Sequence, residues 1–355
     1  MRDKKPKLRY LRFRRTLPDL SGRVAVVTGA NGGLGYETVR GLLALHCRVI
    51  LACRDENKGR AAISRLQSEF PTASLDLLPL DLSRRYSITE FATRLAGIAP
   101  RIDVFVHGAG VYYPKTTRTP DGLPATVGIN FVGTVALAKQ TEKLLSPDGR
   151  AVFVTSLVDK KGSVKTDPVS DDQPSGYLAY ARSKFLLSGY VLKKSADANP
   201  DSPLFVAAHP GIAKTPLLSK EKTGPRPLWS RLGHALLYPF THSPEKASLS
   251  VLCAAAGKVE TGDLIAPRGL FHVWGYPKKI SFPHIRARDG GSPRLRGRPN
   301  PTFGFFSWFA FAARRSGSLL TRRRACEYSG RRPEYPPGLS CLRTTRVFVA
   351  ERRKL

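Results

Sequence analysis

The stretch VAVVTGANGGLG, residues 24–35, decides the fold. Its β-branched start is typical of a buried parallel strand, and the apolar spacing that follows the glycines predicts a helix. Glycines between a strand and a helix let the backbone approach a pyrophosphate, while the helix N-terminus supplies N–H donors. We therefore predict a dinucleotide-binding loop, with a glycine-rich turn that binds nothing as the alternative. The predicted loop residues are Thr28, Gly29, Asn31, Gly33, Leu34 and Gly35.

Strands and helices alternate along the chain after this loop. We predict further strands near 48–52, 74–80, 103–106, 150–154, 204–208 and 263–266, and helices near 34–46, 56–70, 121–145, 176–196 and 244–256. Because such alternation builds a parallel sheet covered on both faces, the expected fold class is α/β. The prediction is one Rossmann-type, doubly wound sheet of about seven strands flanked by helices, in a single domain, with ligand beyond the carboxyl ends of the strands.

The positive charge is concentrated at the two ends of the chain. The net charge is +31 over 355 residues. Residues 1–15 contain eight Lys or Arg residues and one acidic residue, and residues 281–355 contain seventeen Lys or Arg residues and four acidic residues. We predict a basic arm over 1–20, the Rossmann-fold domain over 21–280, and an Arg-, Pro- and Gly-rich extension over 281–355 that is disordered. An unnatural C-terminus is the other interpretation of that extension.

Composition also bounds location and partners. Five scattered cysteines indicate reduced thiols of a cytoplasmic protein, and no Cys/His spacing predicts a metal site. No run reaches the roughly 18 apolar residues of a membrane span, and the N-terminus lacks the apolar core of a secretory signal. The basic ends could contact an anionic membrane surface; nucleic acid is not the expected partner.

The end of the second predicted strand, Ala52-Cys53-Arg54-Asp55, indicates the cofactor. A carboxylate there would accept hydrogen bonds from the ribose 2′-hydroxyl of NAD, whereas a guanidinium would pair with the 2′-phosphate of NADP. With Cys53 at the acid's position and Arg54 next to it, the sequence favours NADP(H). Asp55 leaves the choice open, because a one-residue shift would reverse it to NAD(H), and Arg54 could instead be a solvated surface residue.

Tyr180 and Lys184 are the candidate catalytic pair. Positions i and i+4 share one face of a helix, and a nearby ammonium is expected to lower the pKa of the tyrosine and make it a usable acid or base. Ser156, at the end of the fifth strand, could hydrogen-bond a substrate carbonyl or could simply cap a helix. Asn130, inside the long helix predicted near 121–145, is a tolerated polar residue unless it belongs to the same site.

Taken in order, these motifs resemble the short-chain dehydrogenase/reductase family over residues 22–280. The resemblance adds Asp81-Leu82, Gly108-Ala109-Gly110, Pro210-Gly211 and Thr215 to the cofactor site, with Tyr180 and Lys184 also contacting cofactor. It implies an Asn130-Ser156-Tyr180-Lys184 tetrad, hydride transfer between nicotinamide and a carbonyl or alcohol carbon, and homo-oligomers. The runs at 52–55 and 121–130 are similar to the retinol dehydrogenase and protochlorophyllide reductase-like branch, which implies a lipophilic aldehyde or ketone.

The chain departs from this family at His107-Gly108, where asparagines are usual. We expect His107 to be a packed strand-end residue rather than a base. The loss of asparagine at this turn leaves open a second function, an NADPH-binding regulatory or scaffold protein with little or no turnover. The segment near 211–242, which is rich in leucine, is expected either to cover an apolar substrate or to pack into the core.

Overall fold

An eight-stranded sheet forms the centre of the protein. The structure, a computed structural model, describes residue 13 and residues 16–156, 176–212, 243–269 and 272–282, with the backbone of strands at 285–288 and 291–295. The sheet strands are β1 (Val24–Thr28), β2 (Arg48–Cys53), β3 (Leu75–Pro79), β4 (Ile102–His107), β5 (Leu145–Val154), β6 (Leu204–Ala208), β7 (Leu264–Pro267) and β8 (Pro277–Ile280). Their order is β3-β2-β1-β4-β5-β6-β7-β8. All pair in parallel except β8, which is antiparallel to β7.

Helices cover both faces of this sheet. They are α1 (Gly33–Leu43), α2 (Glu56–Glu69), α3 (Arg85–Ile98), α4 (Ala125–Val127), α5 (Thr134–Thr141), α6 (Gly176–Ala196) and α7 (Pro244–Ala256). A π-helical segment, Gly128–Gly133, joins α4 to α5, and a 3₁₀ turn, Glu142–Leu144, leads into β5. Helices α2 and α7 begin with side-chain caps: Asp55 accepts the Lys58 N–H at 3.0 Å, and Ser243 accepts the Lys246 N–H at 3.3 Å.

The predicted α/β class and doubly wound topology are confirmed, but α3 and β8 were not predicted. Helix α3 was missing, although β3 and β4, parallel strands of one sheet that follow each other along the chain, require a crossover between them. Its first residue follows Arg84, which gives no side-chain cap. Strand β8 was also missing, because Pro-Lys-Lys-Ile is a short edge strand with two exposed lysines instead of an apolar run.

The core lies on the two faces of the sheet. On one face Val27, Val106 and Val152 join side chains of α1, α2 and α7. On the other, Ile50 and Phe105 join the buried residues of α3 and the helices after β4. Since both faces are covered, the open surface available to a ligand is the carboxyl edge of the strands, between β1 and β4, where strand order reverses.

The structure describes only short parts of the two ends of the chain. Strands β9 (Ile285–Arg288) and β10 (Gly291–Leu295) pair with each other antiparallel. The chain divides into a unit over Met1–Arg296 and a second over Gly297–Leu355, which lies outside the described residues. Most of the predicted arm at 1–20 and extension at 281–355 also lies outside them, and those boundaries stay predictions.

Candidate active site

The glycine-rich loop leads from β1 into α1 with an open face. Gly29 and Gly33 have φ of 70° and 53°, a conformation that glycine adopts without strain. A Cβ on Gly35 would lie 2.2 Å from the Gly29 carbonyl oxygen, whereas a Cβ on the exposed Gly32 would meet nothing within 4 Å. Helix α1 begins with no side-chain cap and no acid in its first turn. This cradle suits a pyrophosphate at the helix N-terminus, beside the predicted residues Asn31 and Leu34.

Thr28 connects this loop to the loop after β4. Its hydroxyl accepts the backbone N–H groups of Gly108 and Ala109, both at 3.0 Å. A Cβ on Gly29 would lie 3.0 Å from the Ala109 Cα, so the two loops touch. One residue further, a Cβ on Gly110 would lie 3.5 Å from both the Asn130 Oδ1 and the Lys184 Nζ. The predicted cofactor residues at 108–110 therefore connect the glycine loop to the polar side chains of Asn130 and Lys184.

Asn130 lies in the π-helical segment and holds the loop after β4. Its Oδ1 accepts the Val111 N–H at 2.7 Å, and its Nδ2 donates to the Val111 carbonyl at 2.9 Å and to the Ser183 Oγ at 3.0 Å. Ser183 in turn donates to the Tyr180 carbonyl at 2.8 Å. Both amide hydrogens of Asn130 are thus used within the protein, which fixes the loop against α6. Ser183 was not among the predicted site residues, although it lies within the Tyr180–Lys184 turn.

Tyr180, Ser156 and Lys184 meet at the carboxyl end of β5. The Tyr180 hydroxyl is hydrogen-bonded to the Ser156 side chain. Lys184, one helical turn later, is 3% exposed, donates from Nζ to the Val154 carbonyl at 2.7 Å, and lies 5.8 Å from the centre of the Tyr180 ring. The structure therefore brings the four predicted catalytic residues together.

The protonation of this pair differs from the sequence expectation. Burial raises the pKa of Tyr180 to about 12, against the lowering effect of the Ser156 hydrogen bond. Burial also lowers the pKa of Lys184 to about 8. The expected net lowering of the tyrosine pKa by Lys184 is thus not found, because desolvation of the phenol outweighs other effects on it. At neutral pH the phenol keeps its proton and most of the amine is charged.

The residues at the end of β2 are distinguished by what they contact. The Cys53 thiol is buried, which raises its pKa to about 11. The Asp55 carboxylate caps α2 and pairs with Lys58 at 2.8 Å. Arg54 is exposed and has no acidic partner among the described residues.

Asp81 and Leu82 lie just beyond the end of β3. The Asp81 carboxylate accepts the N–H and hydroxyl of Ser83, at 2.9 and 2.7 Å. The carbonyl of Leu82 would lie 2.2 Å from a Cβ on Gly133, so the turn packs directly on the π-helical segment. Both predicted residues are therefore on the carboxyl edge, next to the end of β2.

The structure describes only part of the cofactor segment predicted after β6, which contains Pro210, Gly211 and Thr215. Gly211 has a φ of 78°, and a Cβ on it would lie 2.3 Å from the Val273 carbonyl, which accepts the Ile212 N–H at 3.4 Å. This contact fixes Pro210-Gly211 beside the β7–β8 hairpin. Thr215 and the predicted cover, apart from residues 211 and 212, lie outside the described residues.

His107 is a packed residue, as expected. It is 3% exposed and its ring stacks on those of Phe105 and Phe153, with centroid distances of 4.4 and 4.5 Å. Burial lowers its pKa to about 3, so the imidazole is neutral. This environment does not suit a general base at neutral pH.

The described residues contain neither a membrane-spanning helix nor a metal-binding cluster. No helix among them is long and apolar enough to cross a membrane. None of their His, Cys, Asp and Glu side chains form a group of three that could hold a metal ion. Cys47, Cys53 and Cys253 are free thiols.

Comparison with known proteins agrees with this fold and cleft. The sequence pattern of the short chain dehydrogenase family matches residues 23–225. Polyprenol dehydrogenase of Danio rerio is 30% identical over 69% of this chain and 77% of that protein, and retinol dehydrogenase 12 of Homo sapiens is 30% identical over 69% and 77%. The Pseudomonas aeruginosa RhlG/NADP active-site complex has a TM-score of 0.56 at 22% identity, covering 72% of this chain and 98% of that one, which shows the shared fold.

The chain belongs to the short chain dehydrogenase family of oxidoreductases. Within that family it is of the retinol dehydrogenase-like branch, as its similarity to retinol dehydrogenase 12 and polyprenol dehydrogenase indicates. The resemblance inferred from the motifs is thereby confirmed.

Proposed function

We propose that this protein is an NADP(H)-dependent enzyme that interconverts a lipophilic ketone or aldehyde and the corresponding alcohol. The observation that carries the proposal is the hydrogen bond between Tyr180 and Ser156, with the Lys184 ammonium one helical turn away. These groups lie at the carboxyl edge of the sheet, connected through Gly110 to the glycine loop. A proton donor, a second hydroxyl and a buried cation are the parts that carbonyl reduction needs.

The residues of the cleft fit a nicotinamide dinucleotide. The open face at Gly32 and the uncapped start of α1 would hold the pyrophosphate. Arg54 would pair with a 2′-phosphate, and it has no acidic partner among the described side chains. Asp55, the residue that would favour NAD(H), is occupied as the cap of α2. This is the structural support for NADP(H) over NAD(H).

The protein's own groups handle the proton. In the reductive direction the bound nicotinamide supplies the hydride. Ser156 and Tyr180 would hold the carbonyl oxygen, and Tyr180, whose pKa is about 12, would give it a proton as negative charge develops there. The Lys184 ammonium would stabilise the phenolate that remains. Asn130 holds the loop at Val111 in place.

Substrate class, location and assembly follow as parts of the same proposal. The two relatives are named for polyprenol and retinol, which supports a lipophilic substrate. We propose a cytoplasmic protein that associates with membrane surfaces through its basic ends and assembles as a homo-oligomer. The concentration of positive charge in residues 1–15 and 281–355 supports the membrane contact.

The activity is tested with NADPH and a panel of ketones and aldehydes, by following NADPH oxidation. Tyr180→Phe should lower kcat at least about 100-fold while NADPH binding is retained. The matched control is Tyr177→Phe, since Tyr177 is 44% exposed on the same helix. If wild type binds NADPH but turns over no compound of the panel, the alternative function, an NADPH-binding regulator or scaffold, is favoured.

Cofactor choice is tested by titrating NADPH and NADH separately. Arg54→Ala should raise the Kd for NADPH about tenfold, the loss of one charge-assisted contact, and leave that for NADH unchanged. Arg60→Ala is the control, because Arg60 is exposed on α2 and pairs with Glu56. Equal effects of Arg54→Ala on both nucleotides would contradict the assignment.

A further inference from the structure

The loop after β4 presents an aromatic ring to the reacting tyrosine. Val111 and Tyr113 pack against the apolar core beneath the loop. Tyr112, between them, instead packs its ring edge-on against that of Tyr180, with centroids 6.1 Å apart and planes at 78°. Tyr112 is half-buried, and its ring lies next to that of the tyrosine at the site.

Two anchors hold Tyr112 in this position. Asn130 binds both the N–H and the carbonyl of Val111, which fixes the backbone directly before Tyr112. Helix α6 begins at Gly176, whose φ is 59°, and a Cβ there would lie 3.5 Å from the Tyr112 hydroxyl and 3.1 Å from the Pro114 carbonyl. The first residue of α6 thus lies at contact distance from the hydroxyl end of the Tyr112 ring. Tyr112 is therefore packed at one end against α6 and along its edge against Tyr180.

We propose that Tyr112 is a specificity-determining residue, which selects substrates that are flat and apolar on the side of the carbonyl facing its ring. The inference deepens the proposed function and rests on it. A substrate oxygen held between Ser156 and Tyr180 places its carbonyl carbon beside the phenol, so a substituent on that carbon must pass the Tyr112 ring. An unbranched or conjugated chain can lie against an aromatic ring, whereas a chain branched next to the carbonyl requires space that the ring occupies.

The test compares two aldehydes of the same carbon number with NADPH: a straight-chain enal, and an aldehyde with two methyl groups next to the carbonyl. The measured quantity is the ratio of their kcat/KM values. Wild type should prefer the enal, and Tyr112→Ala should reduce that preference about tenfold, since a methyl-sized change in a pocket has effects of this order. Tyr112→Phe, which keeps the ring, should retain the preference.

Tyr113→Ala is the matched control, because its ring packs on the core and should leave the ratio unchanged. Thermal unfolding checks that each variant is folded. If Tyr112→Ala does not fold, Tyr112→Trp serves instead, and its larger ring should increase the preference for the enal. An unchanged ratio in a folded, active Tyr112 variant would overturn the proposal for Tyr112 alone. Absence of turnover by wild type with every aldehyde would overturn the proposed function as well.

Discussion

Lys184→Met should change how the stability of the protein depends on pH. Lys184 is 3% exposed, and burial lowers its pKa from 10.5 to about 8. Below pH 8 the folded chain holds a charged amine in a site that favours the neutral one. The shift corresponds to about 3 kcal/mol of lost unfolding free energy at neutral pH. As pH rises above 8 the folded protein releases this proton before the unfolded chain does, so stability is regained up to about pH 10.5.

The magnitude over an accessible range follows from the same two pKa values. Between pH 7 and pH 9.5 the contribution of Lys184 to the unfolding free energy should rise by about 2 kcal/mol. Urea unfolding of wild type and Lys184→Met at both pH values gives the difference between their unfolding free energies. The titration of the other groups is common to both proteins and cancels in this difference. That difference should move by about 2 kcal/mol in favour of wild type at the higher pH.

Lys143→Met is the control, because Lys143 is exposed on the turn before β5 and should show no such change. A wild-type–Lys184→Met difference that stays constant between the two pH values would refute the reasoning. It would mean that the amine is hydrated in the folded protein.

Two further predictions concern activity and cofactor binding. The kcat for carbonyl reduction, measured at saturating NADPH and substrate, should be constant below about pH 7 and fall as pH rises through about 8. The reason is that Lys184 loses its charge there, while Tyr180, with a pKa of about 12, keeps its proton. A kcat that stays constant to pH 10 would contradict this role for Lys184. Gly35→Ala should lower the melting temperature and abolish NADPH binding, because its Cβ would meet the Gly29 carbonyl at 2.2 Å. Gly32→Ala should leave the melting temperature unchanged yet weaken NADPH binding, since only the ligand would contact its Cβ; equal melting losses in both variants would argue against an open cradle.

The sequence predicted the fold wherever apolar residues recur with a clear period. The strand over residues 24–28 and the helix over 244–256 carry such a pattern, the second with Ser243 and Pro244 as a start signal. Helix α3 was harder to predict, because it has only three buried residues, Ile88, Phe91 and Leu95, and its N-cap residue supplies no capping side chain. Its first N–H is instead accepted by the Asp121 carboxylate, at 2.7 Å, from a segment distant in sequence. Only the need for a crossover between parallel strands could have indicated it.

The site was predictable where it depends on spacing along one element. Tyr180 and Lys184 are such a case, since a helix places them on one face. The Asp55 ambiguity could also have been reduced, because an acid directly before a helix is a common N-cap. The Tyr112–Tyr180 contact and the direction of the Tyr180 pKa could not be predicted, because both depend on burial by segments distant in sequence.

Two locally unfavourable features of the described chain occur together at the site. Asn130 occupies a helix interior, where asparagine is a poor helix former, and it does so in a π-helical segment, a rare conformation that frequently lies at functional sites. Lys184 keeps a charge in a site that is almost fully buried. A sequence selected for stability alone would replace both, because each lowers the folding free energy. A Cβ on Gly110 would lie 3.5 Å from the Asn130 Oδ1 and from the Lys184 Nζ, so both features adjoin the same glycine. A role in the proposed reaction would account for their presence there, and the Lys184→Met experiment measures how much stability the buried lysine costs.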